Sequence, residues 1–244
     1  MKLNGIQLAW LAAALLLPAG AAQAQYEMGL LLEAPHSAQI QMTAAPHLAL
    51  SAQYLRASER LRAGGSPLGI GVSASLPLSA LRGFDLDVSA GIAHRWMPHP
   101  AWQMLSSLRY GLSATRDLNG QFVHHGLRMD LCPGRYGRRW MLAAHLSLDY
   151  RPFVHIRHSA YAQQAFEGLP QDGPQDGWYT QHLLFSQYGL CAAYRRGRWN
   201  AHAGLDYRRA HAQLGRIVLP DIGILPFSGS LGLGFALGSG APPR

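Results

Sequence analysis

The sequence predicts an all-β fold, an antiparallel up-and-down transmembrane β-barrel of about ten strands (roughly 8–12). Three observations carry this. The segment from Phe227 to Leu237 puts Leu231, Leu233, Phe235 and Leu237 on one parity, and Ser230, Gly232, Gly234 and Ala236 on the other. A strand of that period has one face of large apolar residues and one of very small ones. The same alternation recurs along most of the chain. Finally, an export signal opens the chain, and beyond it no run approaches the ~18 consecutive apolar residues of a membrane helix. In an exported chain of this kind the apolar parity faces lipid and the small, polar parity faces a lumen.

In chain order, Tyr26, Met28, Leu30 and Leu32 alternate with Glu27, Gly29 and Glu33, which predicts a strand over 26–34. Next, Ala38, Ile40, Met42, Ala44, Leu48, Leu50, Ala52 and Tyr54 hold the apolar parity against Ser37, Gln39, Gln41 and Thr43, giving 37–55. Pro46 interrupts this run, which reads as one kinked strand or as two strands with a turn. Ser58 to Pro67 is polar and Gly-rich, hence a connection. Ile70, Val72, Ala74 and Leu76 oppose Gly71, Ser73 and Ser75 in a strand over 68–78. Leu86, Val88, Ala90 and Ile92 oppose Asp85, Asp87, Ser89 and Gly91 over 83–94. A Pro-rich turn leads into 101–116, where Leu108, Tyr110 and Leu112 oppose Ser107, Arg109 and Gly111. Asp117-Leu-Asn-Gly120 is a hairpin turn, because Asn-Gly tolerates positive φ. Strands over 121–131 and 139–156 follow, separated by a turn from Pro133 to Arg139. Arg157 to Gly177 reads as a long loop. A strand over 178–195, a tight turn at Arg196-Gly-Arg198 and a strand over 199–209 come next. A second long connection, 210–226, leads to the closing strand at 227–237.

An even count puts both ends of the barrel on one side, with short turns there and the two long connections opposite. Trp96 and Trp102, Trp140 and Tyr150, Trp178 and Tyr194, and Trp199 and Tyr207 fall near strand ends, where interfacial girdles need them.

At the N-terminus, Lys2 is a short positive region and Ile6 to Leu17 an apolar run. Pro18 and Gly20 break the run, and Ala22-Gln23-Ala24 supplies a small-x-small cleavage site. This predicts a secretory signal peptide over 1–24 rather than a membrane helix, which needs ~20 apolar residues. The barrel then occupies 25–238 and a short tail 239–244. No Cys follows the cleavage site, so a lipoprotein anchor is not indicated. The chain has 21 basic and 13 acidic residues, a formal charge of +8, which becomes +7 without Lys2. On an exported protein such charge fits anionic lipid headgroups or lipopolysaccharide phosphates. No nucleic-acid partner is expected, since no element carries a basic run with interleaved aromatics. Export also permits a disulfide between Cys132 and Cys191. Both fall toward the same barrel end, and the sequence leaves open whether they pair or stay as two thiols.

The chain as a whole resembles small bacterial outer-membrane β-barrel proteins, through the signal peptide, the alternation and a closing strand with Phe235 near its end. The resemblance implies residence in a Gram-negative outer membrane. Such barrels often finish on a C-terminal aromatic read by the assembly machinery. Here Gly238 to Arg244 follows, which leaves that signal internal.

The small parity also carries charge: Asp85, Asp87, Arg109, Arg128, Asp130, Asp149, Arg151, Asp206 and Arg208. All point into the barrel on this reading, and an Arg stands two residues from an Asp on three strands. A lumen of about ten strands is narrow enough for side chains to fill. The expectation is a salt-bridge network that plugs and rigidifies it. A charged constriction that selects solutes is the alternative use of the same residues, and a carboxylate pair at Asp85 and Asp87 is a third. The chain has 12 histidines, but no zinc-type Cys/His spacing, and His124 and His125 point to opposite faces of a strand. His158-Ser159 invites comparison with barrel lipid A deacylases, which use a His-Ser pair, but Ala160-Tyr161 follows where those enzymes carry Asn. Gly-x-Ser-x-Gly, Walker and dinucleotide signatures are missing, and no cofactor or metal is expected.

The functional expectation is a non-enzymatic integral outer-membrane barrel, a structural or accessory component of the envelope with a charge-plugged lumen. Its partners would be outer-membrane lipid and lipopolysaccharide, with loops 157–177 and 210–226 offered to another envelope protein. A small-solute channel is the alternative, and a lipid A-modifying or proteolytic barrel enzyme a third class.

Overall fold

The computed structural model describes residues 35–45, 47–63, 66–77, 86–96, 102–116, 120–166, 175–212 and 227–237. Ten strands follow one another: β1 (His36–Ala45), β2 (His47–Ala63), β3 (Ser66–Pro77), β4 (Leu86–Trp96), β5 (Trp102–Arg116), β6 (Gly120–Tyr136), β7 (Trp140–His158), β8 (Gly177–Arg196), β9 (Trp199–Ala212) and β10 (Phe227–Leu237). One helix, α1 (Ala160–Phe166), lies between β7 and β8. Each strand is antiparallel to its neighbour in sequence, and β1 also pairs with β10, so the sheet closes into a barrel. A closed ring has no unpaired edge. That is how a sheet satisfies its backbone where no water is at hand.

The apolar parity is on the outside. Ile40, Leu50, Val72, Ile92, Leu108, Leu142 and Leu233 are exposed, and Leu231 is 66% exposed. The other parity is buried, with Ser37, Gln39, Gln41, Thr43, Ser73 and Ser75 inside. An apolar belt around the whole circumference far exceeds the few hundred Å² of apolar patch that soluble proteins expose. The barrel is built to stand in a lipid bilayer. On β7 the outward run from Trp140 to Tyr150, at ~3.3 Å per residue and a tilt of ~40°, covers about 25 Å, the height of a hydrocarbon band.

Aromatic side chains bound this belt at both rims. At the rim where β1 starts and β10 ends, Trp140 packs on Tyr194 and Trp199 on Phe235, with ring centroids 4.5 and 4.8 Å apart. At the opposite rim Tyr207 meets Phe227 at 5.5 Å, and Trp178 stands between His125 and His155. The first rim carries tight connections, 137–139 and the Gly197-Arg198 turn, where Gly197 takes φ +62°. A left-handed residue is what so short a reversal needs, and glycine adopts it without a steric penalty. The second rim carries the long connections, 159–176 and 213–226. We call them the turn rim and the loop rim.

Several sequence expectations are corrected. The strand predicted over 26–34 lies outside the described residues, and the ring closes without it. The segment 37–55 is two strands: the register pairs Ala45 with His47, so β1 and β2 form a hairpin. Ser58 to Pro67 is not a connection, since β2 continues to Ala63 and β3 begins at Ser66. Likewise β6 does not stop at Pro133. Its pairing with β7 lapses at Cys132 and Pro133 and resumes at Gly134, while β5 stays paired throughout. A proline has no N–H to give, and one ladder yields where the other holds. Pro152 falls in a bulge of β7, between Tyr150 paired with Leu127 and Phe153 paired with His125 of β6. The extra residue reverses the parity, so Val154 and Ile156 turn inward and Phe153 outward. The loop predicted over 157–177 starts later, because Arg157 and His158 complete β7, and α1 occupies part of it. Of the connection 210–226, residues 210–212 belong to β9 and 213–226 lie outside the described residues. The cysteines, whose pairing the sequence leaves open, are two buried thiols not joined in a disulfide, on β6 and β8 with β7 between them.

Candidate functional site: the filled lumen

The inward parity converges on one polar layer between two apolar ones. Near the turn rim, Leu55, Ala93, Leu105, Tyr136, Met141, Ala143 and Ala193 pack with the two cysteines into an apolar plug. Near the loop rim, Phe122, Val154 and Ile156 form a second, smaller cluster against Tyr179. The second cluster exists because the Pro152 bulge turns Val154 and Ile156 inward. Among the described residues, the ion pairs of the lumen lie in the layer between the two clusters, on the wall from β4 to β9. The facing wall, β10 through β3, offers mainly Ser, Gln, Thr and Gly.

Asp130 on β6 is the hub. It accepts from Arg109 Nη2 at 2.5 Å and from Ser107 Oγ at 2.9 Å through Oδ2, and from Arg128 Nε at 2.9 Å through Oδ1. Arg128 Nε also reaches Ser147 Oγ at 3.0 Å. His145 is fully buried, its Nε2 3.4 Å from Asp130 Oδ1 and its Nδ1 2.9 Å from Asp206 Oδ1. An imidazole with one N–H can donate to only one of these carboxylates, so serving both takes a further proton on the ring or on a carboxylate. The chain Arg109–Asp130–His145–Asp206 thus ties β5, β6, β7 and β9 together through side chains.

Glycines make room for it. His145, Gly189 and Asp206 lie in one row of the register across β7, β8 and β9. A Cβ at Gly189 would run into the Asp206 carboxylate and lie 2.5 Å from the Leu205 carbonyl oxygen. The missing side chain on β8 is what lets β7 and β9 touch. Gly126 on β6 gives the same clearance to Arg151 and Asp149, whose nearest atoms would be 3.2 and 3.3 Å from a Cβ.

Of the other residues that the sequence assigned to the lumen, Asp149 holds Arg151 on the same strand, with Arg151 Nη2 donating at 3.0 Å. Arg208 lies over the Phe185 ring at 3.9 Å from its centroid, and Arg151 approaches the same ring at 5.3 Å. Asp87 lines a cavity with Arg109, Arg128, Asp149, Arg151 and His124. The cavity is about 40 Å³, room for a few waters. Asp85 lies outside the described residues. His124 points inward and takes a hydrogen bond from Gln181 at 2.9 Å, while His125 points outward and bonds to Tyr110. Periodicity places Ser107, His145 and Ser147 on the polar face, but nothing in it marks them, or Phe185, as partners of the charges. No group of three or more potential metal ligands occurs among the described residues.

At the loop rim, Ser159 caps α1, accepting from the Ala162 N–H at 3.1 Å. His158 and Asp176 clasp the ends of the connection. The Asp176 carboxylate accepts from the His158 backbone N–H at 2.7 Å and lies 2.9 Å from its Nδ1. The backbone bond, then the ring bond, holds the Asp176 carboxyl below its ordinary range. A lowered carboxyl pKa makes this clasp complete above the ordinary carboxylate range, and it is lost as pH falls through the lowered value.

No protein family matches the chain's sequence, and no curated protein does. Solved structures to which the chain is similar include the KdgM porin, at 5% identity and a TM-score of 0.34, covering 83% of this chain and 99% of that one. The β-domain of the Bordetella autotransporter BrkA aligns at 11% identity and a TM-score of 0.39, over 84% of this chain and 100% of that one. The translocator domain of the autotransporter NalP from Neisseria meningitidis aligns at 14% identity and a TM-score of 0.34, over 83% and 88%.

Proposed function

We propose that the protein is an exported outer-membrane barrel with a closed lumen, a non-enzymatic structural or accessory component of the envelope. One observation carries the reading. A network centred on Asp130 runs along the lumen wall from β5 to β9, with Asp130, His145 and Asp206 all nearly inaccessible and apolar side chains packed on either side. Ions that moved through would have to displace paired charges from a site with room for a few waters. The signal-like segment at 1–24 and the lipid-facing belt support the location. In this reading the turn rim faces the periplasm and the loop rim, with the connections 159–176 and 213–226, the exterior, where another envelope protein can dock.

Conductance in planar bilayers tests this. The purified chain is expected to give no resolved single-channel steps. Well-resolved steps from the unmodified chain would overturn the closed lumen in favour of a solute channel.

A further inference from the structure

Two turns at the turn rim carry a concentration of positive charge with no acidic residue in their own stretches of chain. The stretches 131–148 and 177–205 contain no Asp or Glu, yet hold Arg135, Arg138, Arg139, Arg195, Arg196 and Arg198. The structure joins the two stretches. The Arg195 N–H donates to the Arg139 carbonyl at 2.7 Å, which stitches the end of β8 to the start of β7. The Arg198 carbonyl accepts from the Ala236 N–H at 3.0 Å, which ties the second turn to β10. Arg138, Arg139, Arg196 and Arg198 are exposed.

Their height is set by the aromatics beside them. Arg139 immediately precedes Trp140, and Arg198 immediately precedes Trp199. These tryptophans are 64% and 59% exposed and pack on Tyr194 and Phe235. Exposed aromatic belts of a barrel sit at the membrane–water interface. Arginines one residue farther out therefore stand at the level of the headgroups. A guanidinium offers a planar pair of donors that matches phosphate oxygens.

We infer that the two turns at 135–139 and 195–198 form a binding site for the phosphates of anionic phospholipid in the leaflet at the turn rim. The site rests on the reading of the barrel as membrane-spanning, and it is distinct from the lumen network. It gives that rim a preference for anionic lipid, with Trp140 and Trp199 as neighbours of the bound headgroup.

Those tryptophans also report on it. The full chain is reconstituted in phosphatidylcholine vesicles containing brominated phosphatidylglycerol or brominated phosphatidylcholine, and tryptophan quenching is compared. Quenching by the anionic lipid is expected to show a preference of about five-fold or more, what a single arginine at a charged surface supplies. The variant Arg138→Gln/Arg139→Gln/Arg196→Gln/Arg198→Gln should fall to parity. Arg116→Gln/Arg157→Gln, at the loop rim, should keep the preference. Heat-modifiable gel mobility verifies that each variant is folded, and these exposed side chains hold no part of the barrel wall. Equal quenching of the unmodified chain by both lipids overturns the site. Parity between lipids together with arginine-dependent retention on peptidoglycan also overturns it, and reassigns the arginines to a polymer. Failure of every chain to insert, seen as quenching by neither lipid, removes the membrane reading itself and is thereby told apart.

Discussion

Asp130 accepts three hydrogen bonds while 4% exposed, and two of its donors are the guanidiniums of Arg109 and Arg128. Its removal strands two cations, while removal of Asp149 strands one, on its own strand. Breaking one side of a buried ion pair typically costs about 3–5 kcal/mol, because the other charge remains without water. Asp130→Asn, which keeps the shape and removes the charge, is expected to destabilise the folded barrel by about that amount. Asp149→Asn is expected to do less. Urea titration of detergent-folded protein, followed by tryptophan fluorescence, measures both. Equal effects would mean that the hub is no hub. The neighbouring His145 shows why chemistry at this scale was partly hidden. Its parity put it in the lumen, but its partner Asp206 is 61 residues away with a whole strand between.

Strand β8 acts as a spacer whose thickness is set at Gly189. Alanine there would place a carbon against the Asp206 carboxylate and the rigid Leu205 carbonyl, forcing β9 away from β7. Overpacking of this kind costs about 1–3 kcal/mol. Gly189→Ala is expected to lower the urea midpoint accordingly, while Gly229→Ala, whose Cβ would meet nothing within 4 Å, changes stability by less than about 0.5 kcal/mol. Equal midpoints would show that the wall can relax around the extra methyl. Element by element, alternation revealed most of the barrel, because lipid outside and a packed lumen inside impose opposite demands on successive residues. It left the β1–β2 hairpin undecided for a geometric reason. Ala44 pairs with Leu48 and Met42 with Leu50, so the turn returns the chain in the same phase and the even parity stays apolar straight through Pro46. It misjudged the end of β6 because Pro-rich composition signals a turn, whereas here β5 pairs with those residues throughout. At the end of β2 an irregularity between Ser58 and Arg62 lets the strand run on to pair with Ser66 and Pro67. The Pro152 bulge reverses parity within one strand, and no periodic reading carries across such a step.

At the scale of the whole molecule, polarity is inverted relative to a water-soluble barrel, and that inversion decides how an exterior substitution behaves. Leu231 lies midway along the outward row of β10 between Phe227 and Phe235, pairs with Met42 and Ala203, and is 66% exposed. In water an arginine at so exposed a site would change stability by no more than about 0.5 kcal/mol. In a bilayer the same residue sits near the middle of the hydrocarbon, where an arginine on a barrel's lipid face costs about 2–4 kcal/mol. Leu231→Arg is therefore expected to shift the unfolding equilibrium by about 2–4 kcal/mol when the barrel is folded in phospholipid vesicles. The closing contact between β1 and β10 runs through this row, so the loss falls on the seam that makes the sheet a ring. The same variant should be milder in short-chain detergent, where the micelle deforms and lets the guanidinium reach water. A vesicle measurement in which Leu231→Arg matches the unmodified chain would place this face in contact with something other than acyl chains, and the membrane assignment would fall with it.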